Sequence, residues 1–114
     1  MAVVAQRRHA EALKEAVRLR HSDGSAYYLL SECRYVLGHG DGMIEILRLA
    51  IGHQPDHGQA HERLGKVLVE DGKLLEALRH AERASKLQPG VPSARKLVEN
   101  IRKQLAKETV STSG

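Results

Sequence analysis

The stretch HQPDHGQAH, residues 53–61, sets His53, His57 and His61 four residues apart. Neutral imidazoles are good ligands for zinc, and two of them four residues apart share one face of an α-helix. A metal held there would make the chain an enzyme candidate. The intervening residues argue otherwise. Pro55 prevents one continuous helix from carrying all three rings, because it removes a backbone donor and clashes with the turn before it. Asp56 followed by Gln59 reads as a capping box, which starts the helix after His57 and leaves that ring in the turn. Gly58, Gln59 and Ala60 lie between His57 and His61, where a helical zinc-protease motif carries its glutamate. The histidines are expected to serve a scaffold, with no metal and no cofactor.

The remaining reactive groups do not assemble into a site. A catalytic thiol needs an accessible, electropositive setting and a paired base. Cys33 instead falls on an apolar face, where free cysteine behaves as a small core residue. The glycine-rich GHGDG at 38–42 follows a helix and lacks the lysine and spacing of a phosphate loop. It is better read as a flexible turn, with Asp41 as N-cap of the next helix. Acidic residues mostly stand beside Lys or Arg at helical spacing, as on solvated faces. With no nucleophile, base and orienting group in one place, no catalysis is expected.

Composition narrows the class further. The 114 residues carry a formal charge of +4 and only 3% aromatics, with three Tyr, no Phe and no Trp. A core must therefore be built from Leu, Ala, Val and Ile, which favours close helix packing over a sheet. The positive charge invites nucleic acid, but acidic residues are interleaved with the basic ones and few aromatics are free to stack on bases. The lone Cys33 has no internal disulfide partner, which suits a reducing compartment. No apolar run approaches the roughly 18–20 residues of a membrane span, and the N-terminus has no signal-peptide core. A cytoplasmic location is expected.

Glycine and proline divide the chain at 21–25, 38–42, 53–58, 70–73 and 88–92, leaving about six helical segments and no strand. Ala10, Leu13, Ala16 and Val17 form one apolar stripe; Leu74, Leu78, Ala81 and Ala84 form another. Gly38 and Gly72 suit left-handed helix stops, and Pro92 suits a first helical turn. These elements recur. Pro55 and Pro89, Gly38 and Gly72, Leu30 and Leu64, Leu47 and Ala81, and Ala50 and Ala84 are each 34 residues apart. A period of this length with small residues and a closing proline marks a repeat architecture.

On those residues the chain resembles the tetratricopeptide repeat family, in which each unit is two antiparallel helices. Leu64-Gly65, Ala77, Ala84 and Pro89 match the family pattern well; Tyr27, Leu30-Ser31, Ala50 and Pro55 match it more loosely. Arg34 and Met43 depart from it. The resemblance implies an all-α fold of helix-turn-helix repeats stacked as a short right-handed superhelix. It implies one domain at 1–108, made of a half repeat at 3–20, repeats at 24–57 and 58–91 and a capping helix at 92–107, with a flexible tail at 109–114. In this register His61 takes the place of Tyr27.

The resemblance also implies a function: a non-catalytic adaptor that grips a peptide or helix of a partner protein in its concave groove. Carried over by position, the groove offers Tyr28, Leu29, Glu32, Gln59, Arg63, Lys66, Lys96 and Asn100. An acidic peptide could set its charge near Arg63, Lys66, Lys96 and Asn100, although Glu32 and Glu62 oppose it. The half repeat lacks a partner helix, which suggests a homodimer or a piece of a longer protein. Two other readings are a basic, nucleic-acid-associated helical domain and a targeting segment of a larger enzyme.

Overall fold

The computed structural model describes residues 24–36 and 42–113. The expected half repeat at 3–20, Gly38 and Asp41 in the glycine turn, the Cys33 side chain and residue 114 lie outside the described residues. Five helices are described: α1 (Gly24–Val36), α2 (Met43–His53), α3 (Gly58–Glu70), α4 (Leu74–Leu87) and α5 (Pro92–Ser113). No strand occurs among these residues. The last helix continues past 107 to Ser113, through the segment expected to be a flexible tail.

Each helix packs on its neighbours in sequence, and α3 also touches α5. Short turns force consecutive helices to lie side by side, so the apolar stripes meet and close one core. Leu47, Leu64, Leu68 and Ile101 are fully buried, with Met43 among them. Burying each such side chain is worth about 1.5–3 kcal/mol. Small residues set the helix spacing. Ala77, Ala81 and Ala84 are fully buried, and a Cβ at Gly65 would lie 3.4 Å from the Ala77 carbonyl oxygen and 3.5 Å from the Ala81 nitrogen. In the looser repeat Ser31 stands where Gly65 does, also fully buried, and its hydroxyl donates to the Tyr28 carbonyl at 2.6 Å.

The helix ends show why the period persists. α3 stops at Gly72, whose φ of +79° is left-handed. The Lys73 amide donates to the Leu68 carbonyl and the Gly72 amide to that of Val69, the two bonds of a Schellman motif. At its other end α3 corrects the sequence reading. Its N-cap is His57 and not Asp56: the helix starts at Gly58, so the capping position falls on the histidine, whose Nδ1 accepts from the Ala60 amide at 3.1 Å. Asp56 stands one residue too early and is exposed. α2 begins after Gly42, at a φ of +84° and with no side-chain cap.

Candidate functional site

The three histidines of the opening stretch go to three different places. His53 is exposed and stacks on Tyr27, with ring centroids 5.1 Å apart and planes within 4°. His57 is buried at the start of α3, capping that helix while its ring packs against Tyr28 at 5.0 Å. His61 is buried one turn on, and its ring meets His80 of α4. Among the described residues no three His, Cys, Asp or Glu side chains are placed to hold a metal ion. His53 ends α2, His57 caps α3 and His61 follows one turn into it.

The expected groove residues divide into two groups. Tyr28 of α1 and Gln59, Arg63 and Lys66 of α3 line one open cavity of about 180 Å³, together with Glu62. Glu32, one turn after Tyr28, closes the α1 side: its Oε1 accepts from the Tyr28 hydroxyl at 2.9 Å and from Arg63 Nη2 at 2.8 Å. The Arg63 guanidinium also lies over the Tyr35 ring, 5.4 Å from its centre. Leu29, Lys96 and Asn100 are exposed but do not line this cavity. The sequence reading did not include Gln88, Val91 and Ser93, which complete the wall from the turn before α5 and its first residues. A signal for Gln88 was present, since Gln54 stands 34 residues before it (88 − 54) in the equivalent turn.

The charges on this face are largely matched. Arg63 is engaged by Glu32, and Lys66 Nζ lies 3.3 Å from Glu62 Oε2, one helical turn away. Burial pushes the Tyr28 hydroxyl pKa up, and the adjacent Glu32 carboxylate pushes it further, so the phenol stays a neutral donor. Burial works against the charge on Arg63, but Glu32 and Tyr28 together outweigh it and hold the guanidinium protonated. The result is a polar cleft between helices with paired charges, an aromatic wall and no nucleophile activated by a base.

No family model and no curated protein matches the sequence. Solved structures do match the fold. One is the first TPR of Spaghetti (RPAP3) bound to the HSP90 peptide SRMEEVD, at a TM-score of 0.82 and 18% identity over 90% of this chain and 81% of that one. A second is the type III secretion chaperone SycD of Yersinia enterocolitica in complex with a peptide of the translocator YopD, at a TM-score of 0.76 and 18% identity over 88% and 82%. A third is MamA, at 0.77 and 25% identity; it matches over 93% of this chain, which spans 59% of MamA.

The chain has a tetratricopeptide-repeat fold. In that fold α1 and α2 form one helical pair, α3 and α4 the next, and α5 stacks on the second pair. The cavity lies along α1, α3 and the start of α5, the first helices of successive units. No helix among the described residues is long and apolar enough to cross a membrane.

Proposed function

We propose that the chain is a non-catalytic protein-interaction module that receives a peptide or helix of a partner protein along the face formed by α1, α3 and α5. One observation carries this reading. Side chains from two first helices, with the turn leading into the third, converge on a single polar cleft. Two structures similar in fold hold bound peptides, one from HSP90 and one from YopD. Both are matched over most of their length, which supports a peptide or helix as the ligand here.

The matched charges shape the expected partner. An acidic ligand must compete with Glu32 for Arg63 and with Glu62 for Lys66, whereas Lys96 and Asn100 are exposed further along α5. The preferred ligand therefore offers hydrogen-bonding groups and an apolar or aromatic side chain near Tyr28, with any carboxylate towards Lys96. A cytoplasmic location fits this role. A homodimer through the N-terminal segment involves residues outside those described.

The test is affinity capture at moderate salt from a matched lysate, with wild type and an Arg63→Glu/Lys66→Glu variant as baits. An Arg79→Glu/Lys86→Glu variant on α4, with the same change of charge, controls for charge alone, and circular dichroism confirms that all three fold. Proteins lost only with the double variant support the face. Identical captured sets from wild type and the double variant overturn it.

A further inference from the structure

His61 and His80 play no part in the cleft, yet they join the two helices of the central repeat. Nδ1 of His61 on α3 lies 3.1 Å from Nδ1 of His80 on α4, and Nε2 of His61 lies 2.8 Å from the Pro55 carbonyl oxygen. The ring centroids are 5.3 Å apart. A carbonyl oxygen only accepts, so His61 Nε2 carries a proton, and in the neutral ring His61 Nδ1 is a bare acceptor. His80 Nδ1 must then be the donor. The bonds run in one direction: His80 donates to His61, and His61 donates to Pro55, in the turn between the repeats.

This arrangement fixes how many protons the pair can accept. A first added proton can sit on His80 Nε2 and leave both bonds in place. A second must go to His61 Nδ1, where two N–H groups would face each other and the bridge between the helices is lost. The surroundings disfavour even the first charge. Arg83 of α4 and His57 at the start of α3 face His61; Arg48 of α2 and Arg79 and Glu76 of α4 face His80. Glu76, the one carboxylate among them, is already engaged by Arg48.

We propose that His61 and His80 form an acid-sensitive latch that holds α3 on α4 while the rings are neutral and releases it when both take up protons. Burial lowers both pKa values from the ordinary 6.5, and the Pro55 bond at His61 and the Glu76 carboxylate at His80 only partly oppose this. The unfolded chain therefore takes up protons before the folded one does. The latch contributes its full stability above about pH 6.5 and loses it as the pH falls below that value. Each proton the fold refuses shifts the unfolding equilibrium by about tenfold per pH unit. Because α3 also carries Gln59, Arg63 and Lys66, acid would loosen the cleft too; that consequence, unlike the latch, rests on the proposed binding face.

The chain supplies its own control. Thirty-four residues earlier, Tyr27 and Ile46 stand where His61 and His80 do, so the variant His61→Tyr/His80→Ile copies the residues the same chain carries at the equivalent positions. Urea unfolding of wild type and this variant at pH 7.5 and pH 5.0 tests the latch without any partner. Wild type is expected to lose more stability between the two pH values, because the chain's other histidines are common to both. Equal losses overturn the latch. Nitrogen-detected NMR of the wild-type histidines gives a second readout that does not depend on the variant folding. It should show His61 protonated on Nε2 and His80 on Nδ1 at pH 7.5, both titrating below 6.5; the opposite tautomers, or titration at or above 6.5, overturn the proposal.

Discussion

Gly24 and Gly58 occupy the same place in successive repeats, 34 residues apart (58 − 24), yet alanine is expected to cost much more at Gly24. A Cβ there would lie 2.6 Å from the Gln54 Cβ and 2.7 Å from the Ala50 carbonyl oxygen. One is a backbone atom and the other is bonded to backbone, and Ala50 is itself fully buried. The contact is relieved only if α1 and α2 move apart. At Gly58 the close atoms are Cγ and Cδ of Gln88, at 2.6 and 2.8 Å, in a half-buried side chain that can rotate away. Overpacking costs about 1–3 kcal/mol depending on how far the surroundings can yield. That places Gly24→Ala near the upper end, at about 2–3 kcal/mol. Gly58→Ala falls near the lower end, partly offset by the roughly 0.4–1 kcal/mol that alanine removes from unfolded-chain entropy.

Equilibrium urea unfolding measures the difference. With a slope of about 1–3 kcal/mol per molar, Gly24→Ala should lower the midpoint by on the order of 1–2 M, and Gly58→Ala by well under 1 M. Gly52→Ala is the internal control: a Cβ there meets nothing within 4 Å, so alanine should stabilise α2 by up to about 1 kcal/mol. Equal midpoint shifts for Gly24→Ala and Gly58→Ala, or a raised midpoint for Gly24→Ala, would show that the Gln54 and Ala50 contacts do not hold α1 and α2 this close.

Two further perturbations address the face and its supporting helix. His57→Ala removes the N-cap of α3 and should cost about 1 kcal/mol in thermal unfolding at pH 7.5, while His57→Asn keeps a capping acceptor and most of the stability. An alanine variant as stable as wild type would contradict the capping role. A double-mutant cycle with Arg63→Gln and Glu32→Gln should give a coupling of about 0.5–1 kcal/mol, small because both side chains are partly exposed. That coupling should shrink as salt is raised; strict additivity at low salt would show that the pair does not hold α1 to α3.

The period of 34 was legible because turn and packing geometry repeat with the backbone. The His57 amide donates to the Gln54 carbonyl and the Val91 amide to that of Gln88, one period on (91 − 57), so both turns close alike. The Gly24–Gln54 and Gly58–Gln88 contacts were encoded in the same way, as a glycine and a glutamine recurring in step. The cap of α3 was misread for a physical reason. Aspartate is the commoner cap, but the turn hydrogen bond fixes where the helix begins and leaves Asp56 one residue short. The Arg63–Glu32 pair was seen only as two opposed charges for a ligand, because residues 31 apart (63 − 32) meet only once the repeats are stacked.

His80 was invisible for a different reason, and it separates scaffold from content. Helical spacing relates His61 to His57, its neighbour on one helix, and gives no hint of a ring 19 residues on (80 − 61) that arrives on the opposing helix. The repeat register supplies the missing comparison. Position 61 corresponds to Tyr27 and position 80 to Ile46, both half-buried, so the fold does not require an imidazole at either place. A phenol and an aliphatic side chain stand at the equivalent positions, and neither changes charge between pH 5 and 8 as an imidazole does. Two histidines there place a part-buried imidazole pair between the two helices of the repeat, where the preceding repeat of the same chain carries none. The scaffold accounts for His53 and His57 through a ring stack and a cap, but it gives no account of His61 and His80 that leaves out their proton.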